Sequence, residues 1–174
     1  ITCSRSFEKN YSELGQIQER GSTFSAILGE KLRKQKSHCN IISVFLRSNS
    51  HRPDLEQHRS FINIKTDYPT NSTLEINRLV QKCLKSMFKQ GIEYKKAGLI
   101  VSGLTPAASF QTKLFGLGED PRHIDLMRAI DEINRKTKGK VLFGQNDQRR
   151  HKMRQEKLSP CYTTRMEDIL SIRV

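Results

Sequence analysis

Apolar and small polar residues alternate from Ile1 to Phe7, with Ile1 and Cys3 set against Thr2, Ser4 and Ser6. Alternation at period two predicts a short strand with one buried face. The period then changes. A helix is expected from Asn10 or Ser12, either a good N-cap. Its apolar positions Leu14, Ile17, Phe24, Leu28 and Leu32 recur at helical spacing. Gly15, Gly21 and Gly29 weaken it, so packing rather than propensity must hold it. Cys39 to Arg47 reads as a second strand, with Ile42, Val44 and Leu46 on one face and Ile41, Ser43, Phe45 and Arg47 on the other. Ser48 to Ser60 is a polar loop containing Pro53. Phe61 to Tyr68 gives a third, more polar strand, suited to an edge, and Pro69 and Thr70 break it. Ser72 and Glu75 then spell an S-x-x-E capping box. Ile76, Leu79, Val80, Cys83, Leu84 and Met87 show the cleanest helical period in the chain, and Gly91 stops that helix. The fourth strand is Lys95 to Leu104, with Ala97, Leu99 and Val101 inward and Lys96, Gly98, Ile100 and Ser102 outward.

The resulting order is β-α-β-β-α-β over residues 1–104. It predicts an α+β, ferredoxin-like, split-βαβ domain: a four-stranded sheet with two helices on one face. The other sheet face is then free, and it carries Ser4, Ser6, Ser43, Arg47 and Lys96. Of the aromatic residues, Phe45 alone falls on that face of a central strand. Residues 105–121 read as a linker with two prolines and two glycines. Residues 122–174 read as a small extension. It opens with a helix from Arg122 to about Lys136, with Leu126, Ile130 and Ile133 as its inner stripe. A short strand, Val141 to Phe143, follows. The polar and basic remainder is expected to pack poorly in isolation.

Composition narrows the partners. The chain has 174 residues, enough for one domain and an appendage, and it begins with Ile1, as a fragment would. Apolar residues make up only 35%, so a small core is expected. The net charge is +13, which favours polyanionic partners. The excess is spread out. Residues 1–104 hold 17 Lys and Arg against 9 Asp and Glu; residues 105–174 hold 14 against 9. A single basic tail is thereby excluded. Cys3, Cys39, Cys83 and Cys161 form no C-x-x-C pair and read as buried free thiols of a reducing, cytoplasmic compartment. No apolar run approaches membrane-spanning length.

Catalytic chemistry finds no purchase. Two-metal catalysis needs carboxylates converging on one site. The acids here are scattered, and the adjacent pairs Glu119-Asp120 and Glu167-Asp168 would point in different directions. His38, His51, His58, His123 and His151 have no metal-ligand spacing, and no glycine cluster has phosphate-loop spacing. Neither a catalytic residue nor a metal site is expected in this chain. One short motif stands out: Gln111, Leu114 and Phe115 lie in the linker, where they have no core to serve. An extended peptide can dock such an apolar pair in a partner's pocket while the glutamine orients it.

Cys3-Ser-Arg-Ser-Phe7, Ile42-Ser-Val-Phe45, Lys96-Ala-Gly98, the linker Q-T-K-L-F, Gly139-Lys-Val141 and Leu158-Ser-Pro-Cys-Tyr-Thr-Thr-Arg165 occur in this order. Together they make the chain resemble the C-terminal region of UmuC-type, Y-family translesion DNA polymerases. The resemblance covers essentially the whole chain. It implies that residues 1–104 are the little finger, which holds both backbones of the primer-template duplex. It implies that Gln111, Leu114 and Phe115 bind the ring-shaped sliding clamp, with Thr112 in place of the family's usual leucine. It also implies a preceding palm domain, absent here, where Mg2+ would be bound. The strand pattern offers Ser4, Arg5, Ser6, Ser43, Arg47, Lys95 and Lys96 as contacts to DNA phosphates. A different expectation is a protein-docking module, serving a UmuD-type accessory dimer or a recombinase filament, which the resemblance also names as partners.

Overall fold

The computed structural model describes residues 1–107, 121–137, 141–143, 159, 161, 163–165 and 167. The elements run β1 (Thr2–Tyr11), α1 (Leu14–Lys34), β2 (Ser37–Ser48), β3 (Arg59–Thr70), α2 (Thr73–Met87), β4 (Tyr94–Ser102), β5 (Thr105–Pro106) and α3 (Pro121–Lys136). The expected β-α-β-β-α-β order holds, and the domain is α+β. The strands lie in the order β1-β4-β2-β3, and every neighbouring pair is antiparallel. The last long strand, β4, thus lies between β1 and β2 and splits that βαβ unit. β3 is an edge strand, as its polar pattern predicts.

Strand alternation builds the core. Cys3 and Phe7 of β1, Ile42, Val44 and Leu46 of β2, and Ala97, Leu99 and Val101 of β4 are buried on one face. Ile17, Phe24, Leu28 and Leu32 of α1 meet them there, with Ile76, Val80, Cys83, Leu84 and Met87 of α2. Gly21 explains how α1 tolerates its glycines. A Cβ at that position would stand 2.5 Å from Leu84 Cδ1 and 3.2 Å from Val80 Cγ1. The residue that lowers helix propensity is therefore a point where α2 comes close. Gln81 ties the same crossing, with its Nε2 donating to the Gln18 carbonyl at 2.9 Å and to Ser22 Oγ at 2.9 Å.

Several boundaries differ from the sequence expectation, each for a physical reason. β1 continues past Phe7 to Tyr11, because Tyr11 is buried and its hydroxyl joins Arg20 and Glu8 in one network. β3 runs through Pro69, which an edge strand accepts beside the register shift between Cys39 and Ile41. The capping box does not form: the Ser72 hydroxyl makes no cap bond, and Glu75 pairs instead with Arg78 at 2.9 Å. α2 ends at Met87, before Gly91, since Phe88 turns extended and packs on the core. β5 takes the first residues of the expected linker into the fold by pairing with Ser37 and His38.

In α3 the buried residues are Met127 and Ile130, whereas Leu126 and Ile133 are exposed at 44% and 45%. The inner stripe is thus turned from the expected one, because α3 is oriented by a charge pair. Arg33 of α1 donates from Nε to Asp131 Oδ2 at 2.6 Å and from Nη2 to Oδ1 at 2.8 Å. Val141–Phe143 is not a strand; it lines a small hollow with Ala26, Ile27 and Ile130. Cys3, Cys39 and Cys83 are buried free thiols, with Cys39 pushed up to about 11 by burial. Cys161, expected to be buried, is exposed.

Candidate nucleic-acid interface

Cross-strand register assembles the uncovered face in rows. The first row is Ser6, Lys96, Arg47 and Arg59, one residue from each strand in the spatial order β1-β4-β2-β3. The second is Ser4, Gly98, Phe45 and Phe61. The third is Thr2, Ile100, Ser43 and Asn63. Ser102, Ile41 and Lys65 follow in a fourth.

The first row sets three cations side by side. At about 4.8 Å per strand they span about 10 Å, close to the screening length at physiological salt. Like charges directly opposite each other destabilise a sheet. None of Lys96, Arg47, Arg59 or Lys65 has an ion pair among the described residues. Arg47 instead lies over the Phe45 ring, 5.2 Å from its centroid, and its buried Nε has no hydrogen-bond partner. An oxyanion placed above the row would relieve the repulsion between the cations.

Phe45 occupies its place because position 98 has no side chain. A Cβ there would stand 2.4 Å from Phe45 Cζ and 2.4 Å from the Ser4 Cβ. The ring thus rests over the β4 backbone, at 8% exposure, beneath the Arg47 guanidinium.

The residues singled out from the sequence divide accordingly. Ser4, Ser6, Arg47 and Lys96 share the open face. Ser43 is on it but buried. Arg5 pairs with Ala97 and therefore stands on the helix side, where it borders a hollow with Ile27 and Lys31. Lys95 falls in the register shift between Tyr94 and Lys96, with its Nζ 3.5 Å from the Glu8 carbonyl. Gln111, Leu114 and Phe115 lie outside the described residues. Arg59, Phe61 and Lys65 join the face without having been expected there. For Phe61 and Lys65 the signal was present, as alternation against Ile62 and Ile64. Arg59 sits in what reads as loop, and only pairing with Arg47 assigns it.

A polar relay runs at the start of β4. The Lys89 N–H donates to the Tyr94 hydroxyl at 3.0 Å, and that hydroxyl lies 3.0 Å from His58 Nδ1. Burial, and then the nearby Lys89, hold the His58 imidazole below its ordinary pKa of 6.5, with Glu56 opposing. A neutral imidazole can share a single hydrogen bond with that hydroxyl, its direction set by the tautomer. Among the described residues no cluster of three His, Cys, Asp or Glu is placed to hold a metal ion. None of their helices is long and apolar enough to cross a membrane.

The chain is similar along almost its whole length to curated bacterial proteins. It is 29% identical over 97% of its length to Protein ImpB of Salmonella typhimurium. It is 29% identical over 99% of its length to Protein UmuC of Salmonella typhimurium strain LT2, and 31% identical over 94% to Protein MucB of Escherichia coli. It spans about two fifths of the length of these relatives: 40%, 42% and 39%. A solved complex of beta-clamp processivity factor and little finger domain of PolIV aligns with a TM-score of 0.47 at 14% identity, covering 66% of this chain and 97% of that one. Residues 125–172 match a domain of unknown function (DUF4113). Residues 1–114 match the C-terminal domain of the impB/mucB/samB family, and the chain belongs to that family.

Proposed function

We propose that residues 1–104 hold the sugar-phosphate backbone of duplex DNA on the open sheet face, as the little finger of a translesion DNA polymerase. The carrying observation is the row Lys96, Arg47 and Arg59, three cations without ion-pair partners among the described residues on a face that no helix covers. Phosphate contacts grip without reading sequence, which suits an enzyme that must follow damaged template. Ser4 and Ser6 add hydroxyl donors beside the cations. Metal-dependent nucleotidyl transfer and its Mg2+ belong, in this reading, to the palm of the parent polymerase. Gln111, Leu114 and Phe115 tether the chain to the sliding clamp.

The test is binding of a labelled mixed-sequence primer-template duplex, followed by fluorescence anisotropy across a salt series. Each lost phosphate contact should lower the slope of log K against log salt by about 0.9. The Arg47→Ala, Arg59→Ala, Lys96→Ala triple variant should therefore flatten it by up to about 3. An unchanged slope, or no binding by the parent chain at low salt, overturns the grip. The tether has its own test: Leu114→Ala with Phe115→Ala should abolish association with the clamp, and retained association removes it.

A second reading is a docking site for a UmuD-type dimer or a recombinase filament. It is favoured by Ile124, Leu126 and Ile133 of α3, each exposed at 44–45%. Passage of the chain over an immobilised UmuD-type dimer tests it, and lack of retention removes that partner.

A further inference from the structure

Phe61 is the largest apolar side chain left open on the sheet, exposed at 52%. It sits on the edge strand β3, directly opposite Phe45 in register. Phe45 itself is held down over Gly98 and capped by the Arg47 guanidinium. The pair thus forms a step: a buried phenyl ring fixed at the centre and an exposed one at the rim. Cations stand on both sides of the exposed ring along β3, Arg59 two residues before it and Lys65 four residues after. Neither has an ion pair among the described residues.

An exposed phenyl flanked by cations is poorly matched to a duplex alone. Paired bases show a protein only their edges, while their faces are closed by stacking. A phenyl ring offers no hydrogen bond to those edges, and the one apolar edge contact open to it, a thymine methyl, recurs only at some positions of a mixed sequence. An unpaired base has a free π-face, and its phosphates lie within reach of flanking lysines and arginines. That combination of aromatic platform and basic surroundings recurs where sheets hold single strands. The edge position matters as well, because it leaves space beyond β3 for a strand leaving the duplex.

We propose that Phe61 stacks on an unpaired nucleobase of single-stranded DNA adjoining the duplex, so that the open face favours a duplex with an overhang over a blunt one. The inference rests on the DNA grip described above, and adds to it the class of DNA preferred. Phe61 acts by stacking, while Arg59 and Lys65 hold the phosphates on either side of the stacked nucleotide. Phe45 and Gly98 set the platform's height.

The experiment uses the whole chain and three labelled DNAs of mixed sequence: a blunt duplex, the same duplex with a five-nucleotide overhang, and the overhang strand alone. The parent chain should bind the overhang duplex about tenfold more tightly than the blunt one, within the range for one base on an aromatic ring. Phe61→Ala should make the affinities for overhang and blunt duplex equal while leaving the salt slope unchanged, since no cation is lost. Phe61→Tyr should keep the preference, since the π-face remains. Far-UV circular dichroism melts confirm that the variants stay folded. Equal affinity of the parent chain for blunt and overhang duplexes overturns the stacking and leaves the grip standing. So does a preference that survives Phe61→Ala. No binding to any of the three at low salt overturns both.

Discussion

Replacing Gly98 by alanine puts one methyl group into the tightest contact on the open face. The new Cβ would stand 2.4 Å from Phe45 Cζ, 2.5 Å from Phe45 Cε1 and 2.4 Å from Ser4 Cβ. Real Cβ atoms essentially never come so close, so something must move. The phenyl ring can lift toward solvent. The Ser4 Cβ cannot swing away, because it is one bond from the β1 backbone. Overpacking of this kind costs about 1–3 kcal/mol, and the rigid Ser4 contact puts it near the upper end. Removing a strand glycine returns about 0.5–1 kcal/mol in chain entropy. The net destabilisation is about 2 kcal/mol. In a folded unit of this size each kcal/mol moves the melting temperature by about 4–8 °C, so Gly98→Ala should melt about 8–16 °C lower. A double-mutant cycle with Phe45→Leu identifies the clash. Coupling of about 0.5 kcal/mol or more is expected, with Phe45→Leu costing less in the alanine background than in the parent. An unchanged or raised melting temperature, or strict additivity, would refute the account of why Phe45 lies flat.

Two further predictions concern other parts of the fold. Arg33 donates to both oxygens of Asp131, to the Asn71 carbonyl at 2.8 Å and to Thr73 Oγ1 at 3.1 Å, so its loss strands several acceptors. Arg33→Ala should cost about 2 kcal/mol and Asp131→Asn about 1 kcal/mol in urea unfolding, and both should speed amide exchange in α3. Unaltered exchange in α3 would show that the pair does not dock it. Burial lowers the pKa of both His38 and His58 from 6.5 in the folded chain. The unfolded chain then binds more protons just below that value, so the contribution of these two histidines to stability is complete above about pH 6.5 and is lost as the pH falls through their folded pKa values. His58→Gln should shrink the decline between pH 7 and 5 in thermal melts; an identical profile would exclude His58 as a source.

Much of this was open to sequence reasoning. Each long element of residues 1–104 is marked by its own period. Ile42, Val44 and Leu46 at spacing two and Ile76, Val80, Cys83 and Met87 at helical spacing leave little choice of type or of buried face. The placement of Ser4, Ser6, Arg47 and Lys96 on the open face follows from the same alternation. Local pattern fails where a partner sets the outcome. Arg5 sits between two serines in sequence, yet pairing with Ala97 puts it on the helix side. Ser72 and Glu75 satisfy a capping rule, but Glu75 finds Arg78 instead. The α3 stripe is misread because the Arg33–Asp131 pair, not hydrophobic period alone, orients that helix.

The sequence by itself determined the strand and helix content, the face each strand buries, and the excess of positive charge. Those properties follow from residue spacing and ionisation, which are local. Tertiary structure alone decided that β4 lies between β1 and β2, that Arg47 meets Lys96 on one side and Arg59 on the other, and that Phe45 crosses to Gly98 beside Phe61. Strand order and register join residues tens of positions apart. They are set by how the whole core packs, and a scattered excess of cations becomes a continuous row only once that packing is made.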